Sequence, residues 1–207
     1  MFRICKDSPA YYLTSVAKDR LPVFRKDNIK EIVCKAIAEA RTSAGFLLFA
    51  YVVMPDHLHT IVGSELKPSK VLQYINGIIS RRLIQFLKDE GHQRSLQKLR
   101  HEDMRRNYRY SLWDHHPNAK LLPNEDIFLQ KLRYVHLNPV RAGLVENAED
   151  YRFSQIFRYV QLNPVRAGQV EKAEDYRFSS ARIWSRRPLE DEPLLVDIDQ
   201  IKWYSRR

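Results

Sequence analysis

Two histidines separated by one apolar residue close a hydrophobic run, Tyr51-Val-Val-Met-Pro-Asp-His57-Leu58-His59-Thr-Ile-Val62. Side chains at i and i+2 of a strand point to one face, so His57 and His59 present two imidazoles side by side, half of a metal site. Further along, Tyr134-Val-His-Leu-Asn138-Pro-Val-Arg-Ala-Gly143 sets a hydroxyl and an amide four residues apart. That spacing is one helical turn, so both groups share a helix face. A paired-histidine strand with a tyrosine on a later helix is the equipment for metal-assisted phosphodiester cleavage by a tyrosine nucleophile.

Ordinary roles compete for the same residues. A lone histidine pair is often just strand surface, and a helical tyrosine is often a core aromatic. Asn138 before Pro139 suits a cap or turn as well as a ligand, and the two roles are compatible. Asp56 suits either a turn or a carboxylate that hydrogen-bonds a histidine from behind and orients it. His136 is open to a solvent-facing place, and its change to Gln161 at the matching position suggests that it is not essential to the segment.

The elements that must position these groups follow from periodicity. Residues 10–17 are rich in strand formers and predict a first strand. A helix is expected over 27–42, capped by Asp27 or Asn28, with Ile29, Ile32, Val33, Ala36, Ile37 and Ala40 at helical spacing. Residues 46–54 predict a central strand, and His57–Gly63 continues beyond Pro55-Asp56 as its antiparallel partner. Ser69 is expected to cap a helix running to about residue 90, buried along Val71, Leu72, Ile75, Ile78, Ile79, Leu83, Phe86 and Leu87. Residues 91–108 are polar and basic and suggest a connector; Tyr108–Trp113 suggests a further strand. The next helix starts near Asn124 and runs towards Asn138. This order predicts an α+β fold, an antiparallel sheet with helices packed on one face, plus a C-terminal extension. Residues 1–182 form the expected catalytic domain, with residues 183–207 as a tail that wraps the surface or mediates contacts.

Part of the chain is duplicated. Residues 133–154 recur 25 positions later as residues 158–179, with 19 of 22 aligned positions identical. Two copies, roughly 131–155 and 156–180, are too few for a solenoid and point to tandem duplication of one functional segment. The chain therefore carries two candidate nucleophiles, Tyr134 and Tyr159, and two candidate amides, Asn138 and Asn163. The first copy follows a full amphipathic helix and the second does not, which favours Tyr134. The second copy is otherwise a packed remnant or an added interface helix.

Lysine and arginine number 35 against 25 aspartate and glutamate, giving a net charge of +10 and a pI near 9.6. That excess suggests a polyanionic partner. Apolar residues make up 44% of the 207, enough for a core and against disorder. No apolar stretch is long enough for a membrane span, and the N-terminus lacks a secretory core. Of the two cysteines, Cys5 and Cys34, Cys34 falls on an apolar helix face and suggests a buried free thiol in a reducing cytoplasm, nucleoid-associated if the polyanion is DNA.

At these residues the chain resembles the REP-associated tyrosine transposases, within the single-tyrosine transposase superfamily that acts on single-stranded DNA. The matching blocks are Ala10-Tyr-Tyr-Leu-Thr-Ser, Val52-Val-Met-Pro-Asp-His-Leu-His59, Trp113, and Arg133-Tyr-Val-His-Leu-Asn-Pro-Val-Arg-Ala-Gly-Leu-Val145. They span about residues 8–182. The second copy and Trp113-Asp-His115-His116 depart from the family pattern.

The resemblance implies a ferredoxin-like sheet with the histidine pair on a central strand and the tyrosine on an adjacent helix. It implies cleavage and rejoining of single-stranded, hairpin-forming repeated palindromes through a 5′-phosphotyrosine. His57, His59 and Asn138 (or Asn163) would then hold Mg2+ or Mn2+, with room left for water and a phosphate oxygen. Arg81, Arg82, Arg105, Arg106, Arg109 and Arg141 are the expected DNA contacts. An alternative is a domesticated hairpin-binding protein in which the duplication has displaced the active tyrosine. Monomer and homodimer both stay open.

Overall fold

The computed structural model describes residues 1–5, 10–101, 109–114, 118–142, 181–184 and 190–202. Tyr159, Asn163, Arg105, Arg106 and the second repeat copy lie outside the described residues.

Four antiparallel strands, β1 (Ala10–Val16), β2 (Leu47–Val53), β3 (His57–Gly63) and β4 (Asn118–Leu122), form one sheet in the order β2-β3-β1-β4. Helices α1 (Asp27–Ala44) and α2 (Pro68–Asp89) pack against each other and against one face of this sheet. This is the expected ferredoxin-like α+β arrangement. The helix α4 (Glu125–His136) lies on the opposite face, so the expectation of helices on one face holds for α1 and α2 only.

Two cores result, one on each face. Leu13, Leu48, Tyr51, Val53, Leu58 and Val62 pack towards α1 and α2. Tyr12, Phe49, Ala50, Val52, Met54 and Ile61 pack towards Phe128, Leu132 and Val135 of α4. A register shift between Leu48 and Ala50 puts Phe49 and Ala50 on the same side, which is what a β-bulge does to strict alternation. Beyond the bulge alternation resumes.

Neither sequence-based cap on the first two helices forms. Lys26 and Lys67 occupy the N-cap positions without a side-chain cap, and Asp27 and Pro68 are already in the first turn. Pro68 suits that position because it gives up no helical N–H bond there. Asp27 instead accepts from Lys30 Nζ at 2.9 Å. Gly45, in the left-handed region at φ 65°, ends α1. The cap at Asn124 forms as expected: its side chain accepts from the Ile127 amide at 2.9 Å.

Over the described residues 109–113 the further strand expected at Tyr108–Trp113 does not form. Tyr110 and Trp113 make only isolated bridges, to Arg100 and Ala17. Trp113 is held instead by its packing, 5.4 Å from the Phe24 ring centroid, with its indole N–H donating to the Asn76 carbonyl at 2.9 Å. The edge of β1 is taken by Asn-Ala-Lys-Leu-Leu, a segment of weak strand propensity whose first four residues are exposed. Within the expected connector, α3 (Gln93–Lys98) forms around buried Leu96.

Downstream chain closes over the sheet. The short helix α5 (Asn138–Arg141) follows α4, and α6 (Ala181–Trp184) brings the Trp184 indole N–H to the Phe49 carbonyl at 2.6 Å. Asp197 pairs with Arg41 of α1 and accepts from the Leu48 amide at 2.8 Å, which seals the outer edge of β2. Among the described residues no helix is long and apolar enough to cross a membrane.

Candidate active site

His57 and His59 lie on β3, next to β1 in the middle of the sheet, and both face α4. Their ring centroids are 4.8 Å apart. Leu58 between them points into the opposite core, so a single strand supplies both the imidazole pair and the packing that anchors it.

Each imidazole is oriented by neighbours. His57 Nδ1 lies 2.6 Å from Asp56 Oδ1, and Arg20 donates to the other Asp56 oxygen at 3.1 Å. Burial pushes the Asp56 carboxyl up, but the His57 hydrogen bond and charge, with Arg20, outweigh it and leave it below the usual range. His57 Nε2 is thereby turned to Asn138 Oδ1, 3.2 Å away. His59 is only 5% exposed; its Nδ1 meets the Tyr12 hydroxyl at 2.8 Å and the Thr14 hydroxyl at 2.9 Å. Burial above all, then the charges of His57 and Lys131, holds its pKa down at about 3. His59 is therefore neutral, the form that offers a lone pair to a cation.

Tyr134 packs against this pair. Its ring centroid is 5.6 Å from His59 and 6.0 Å from Tyr12, edge-on to the latter. Lys131 Nζ stands 5.2 Å from the Tyr134 centroid and 5.3 Å from that of Tyr12, and the Arg141 guanidinium is 5.1 Å from the Tyr134 ring. Burial, and the neighbouring Tyr134, push the Tyr12 hydroxyl well above the ordinary tyrosine range, so it stays protonated.

Asn138, 8% exposed, begins α5 immediately after the α4 terminus, where Pro139 prevents α4 from continuing unbroken. Its carbonyl accepts from the Ala142 amide at 3.0 Å while its side chain reaches His57. Asn138 thus both opens the short helix and faces the histidines.

Two imidazoles and an amide oxygen are a mixed nitrogen–oxygen donor set, better suited to Mn2+ than to the harder Mg2+. Two ligands at about 2.1 Å and a right angle stand about 3 Å apart, close to the observed separation of 3.2 Å between His57 Nε2 and Asn138 Oδ1. Among the described residues no group of three or more His, Cys, Asp or Glu side chains is arranged to hold a metal. The fit therefore rests on two imidazoles and one amide oxygen.

The remaining expected residues fall elsewhere. Arg81 and Arg82 both grip Glu39 of α1, at 2.9 and 2.8 Å, on the side of the sheet away from the histidines. Arg109 is exposed, and among the described residues it makes no contact with the pair or with Tyr134. Arg141 alone of the described arginines on the expected list is at the site. His136 is fully buried rather than solvent-facing: it turns inward beside Trp184, ring centroids 6.4 Å apart, and burial lowers its pKa to about 3. Tyr12 and Thr14 lie in a block that carries the family resemblance but have no role assigned by sequence, and Lys131 is not marked out at all. The register that pairs Thr14 with His59 puts the even residues of β1 beside the histidines, and only that register identifies them.

The site thus combines a ferredoxin-like sheet, a histidine pair on an inner strand and a helix bearing Tyr134 laid over it. The family model described as Transposase IS200 like matches residues 5–115, more than half of the 207, and the chain belongs to that family. A solved structure of a REP-associated tyrosine transposase bound to a REP hairpin has the same fold. It superposes with a TM-score of 0.56 at 15% identity, covering 96% of this chain and 90% of that one. A crystal structure assigned as a transposase from Deinococcus radiodurans R1 aligns at 19% identity and a TM-score of 0.43, over 61% of this chain and 87% of that one. No curated protein matches the chain.

Proposed function

We propose that this protein cuts and rejoins single-stranded, hairpin-forming DNA through a covalent 5′-phosphotyrosine at Tyr134. The observation that carries this reading is the placement of Tyr134 against His59, with His57 and Asn138 converging beside it.

In this reading the Tyr134 oxygen attacks the phosphorus and the bond to the 3′ oxygen breaks. The phenolic proton passes to solvent, and the departing 3′ oxygen gains one to become a hydroxyl. The phosphotyrosine stores the bond energy, so a 3′ hydroxyl can later displace Tyr134 and reseal a strand without ATP. His57, His59 and Asn138 would hold Mg2+ or Mn2+, which when bound polarises a phosphoryl oxygen. Asp56 and the Tyr12–Thr14 hydroxyl pair keep the two imidazoles aimed.

The test is covalent trapping: Mn2+ or Mg2+, labelled hairpins from the host's repeated palindromes, and a denaturing gel. A metal-dependent adduct lost in Tyr134→Phe and kept in Tyr159→Phe is the expected result. Loss only in Tyr159→Phe moves the nucleophile to the second copy. The duplication favours one second reading, a hairpin binder that no longer cleaves, and tight binding without any adduct is its signature.

A further inference from the structure

We propose that Lys120, Lys131 and Arg141 form a cradle for the phosphodiester backbone of a single strand beside Tyr134. The proposal rests on the reading of Tyr134 as the residue the strand must reach.

Three elements supply the cations. Lys131 stands one turn before Tyr134 on α4, with its Nζ between the Tyr12 and Tyr134 rings at 5.3 and 5.2 Å. Arg141, on α5, covers the Tyr134 ring at 5.1 Å. Lys120 pairs with Tyr12 across β1 and β4, and cross-strand partners share a face, so it stands on the side of the sheet that carries the histidines. Neither Lys120 nor Lys131 stands out in the sequence as a DNA contact.

Some described cations have carboxylate partners; these three do not, and what sets them apart from the other unpaired ones is that they gather beside Tyr12 and Tyr134. Arg20 has Asp56, Lys30 has Asp27, Arg41 has Asp197, and Arg81 and Arg82 share Glu39. Among the described residues no carboxylate pairs with Lys120, Lys131 or Arg141. Burial, then repulsion from Lys120 and Arg141, lowers the Lys131 pKa. Uncompensated like charge around a nucleophile is unfavourable in the free protein and is relieved by a polyanion. Cation–π packing accounts for Lys131 and Arg141 on the Tyr134 ring, but not for Lys120 standing near them from a third element.

The test is equilibrium binding in EDTA, where no cleavage occurs, using a fluorescent DNA hairpin with a short single-stranded dT flank and a salt titration. Each phosphate contact on a single strand contributes about 0.7 to the slope of log K against log salt, about fivefold in affinity at about 0.1 M salt relative to 1 M. Lys120→Met, Lys131→Met and Arg141→Met are each expected to lose about that slope and about fivefold in affinity. Lys131→Arg is expected to keep both, and Lys35→Met, an exposed change on α1 across the sheet, to alter neither. Should Lys131→Met fail to fold in a thermal melt, the two exposed variants carry the same test.

Wild-type affinity and slope in the Met variants would overturn the cradle, whatever the trapping gel shows. A cleavage reading that fails, with no adduct from wild type, leaves the salt slopes to judge the cradle on their own. Tyr134→Phe separates the two again, since it is expected to abolish the adduct and keep the slope.

Discussion

His57 Nε2 and Asn138 Oδ1 lie 3.2 Å apart across 81 residues of chain, and Asp56 fixes the other nitrogen of the same ring at 2.6 Å. One imidazole thus has a carboxylate behind it and an amide oxygen in front, the arrangement by which proteins aim a histidine at a cation.

Asp56→Asn keeps the size of that support and removes its charge. Mn2+ affinity, measured by isothermal titration, is expected to fall by about 10- to 100-fold. Asn138→Ala is expected to lose at least about tenfold, since it removes a ligand rather than a support. Unchanged Mn2+ binding in both variants would place the metal away from this trio.

The second imidazole depends on hydroxyls. Tyr12 and Thr14 share His59 Nδ1 at 2.8 and 2.9 Å in a pocket where His59 is 5% exposed. Tyr12→Phe leaves Thr14 in place and is expected to cost about 1 kcal/mol in urea unfolding. Adding Thr14→Val strands a buried ring nitrogen, so the double variant is expected to exceed the sum of the singles by about 1 kcal/mol. Strict additivity would show that the two hydroxyls do not back each other up.

Acid stability follows from the two buried histidines. His59 and His136 are each held at about 3, below their ordinary value of 6.5, chiefly by burial. Folded chains keep them neutral while unfolded chains protonate them, so stability is whole above about pH 6.5 and is lost as pH falls towards 3. Each contributes a slope of up to about 1.4 kcal/mol per pH unit in that window. His136→Gln, the residue at the matching position of the second copy, is expected to remove one proton's worth of slope in metal-free urea titrations. A slope unchanged by His136→Gln would mean that this histidine does not titrate on unfolding.

The pattern of the sheet was legible because β3 is written in strict alternation, with Leu58 and Val62 pointing one way and His57, His59 and Ile61 the other. Helical spacing likewise marked α1, α2 and α4, whereas the one-turn interval from Tyr134 to Asn138 crosses a break, since Asn138 opens α5. What escaped depends on pairing across distance. Asn118–Leu122 is a strand because β1 has a vacant edge, not because Asn, Ala and Lys favour one. Tyr12 and Thr14 become site residues only once the β1–β3 register is known. Arg81 and Arg82 look like free basic charge until α1 brings Glu39 beside them. His136 looks exposed until Trp184, 48 residues on, closes over it.

Gly63 ends the strand that carries the histidine pair, and a methyl group there has no room. A Cβ would stand 2.8 Å from a ring carbon of Phe49 and 2.9 Å from two of Phe2. Phe49 is fully buried and 5.3 Å from the Phe2 centroid, so the two rings cannot both yield without opening the packing under the bulge in β2. Gly63→Ala is expected to cost about 1–3 kcal/mol, read as a lowered midpoint in urea unfolding. Because His57 and His59 sit at the other end of β3, Mn2+ affinity of the folded variant is expected to stay at the wild-type level. Pairing Gly63→Ala with Phe2→Leu, the more accessible of the two rings, is expected to cost less than the sum of the separate changes. Simple additivity would locate the cost of the alanine in the backbone of β3 rather than in its collision with the aromatic pair.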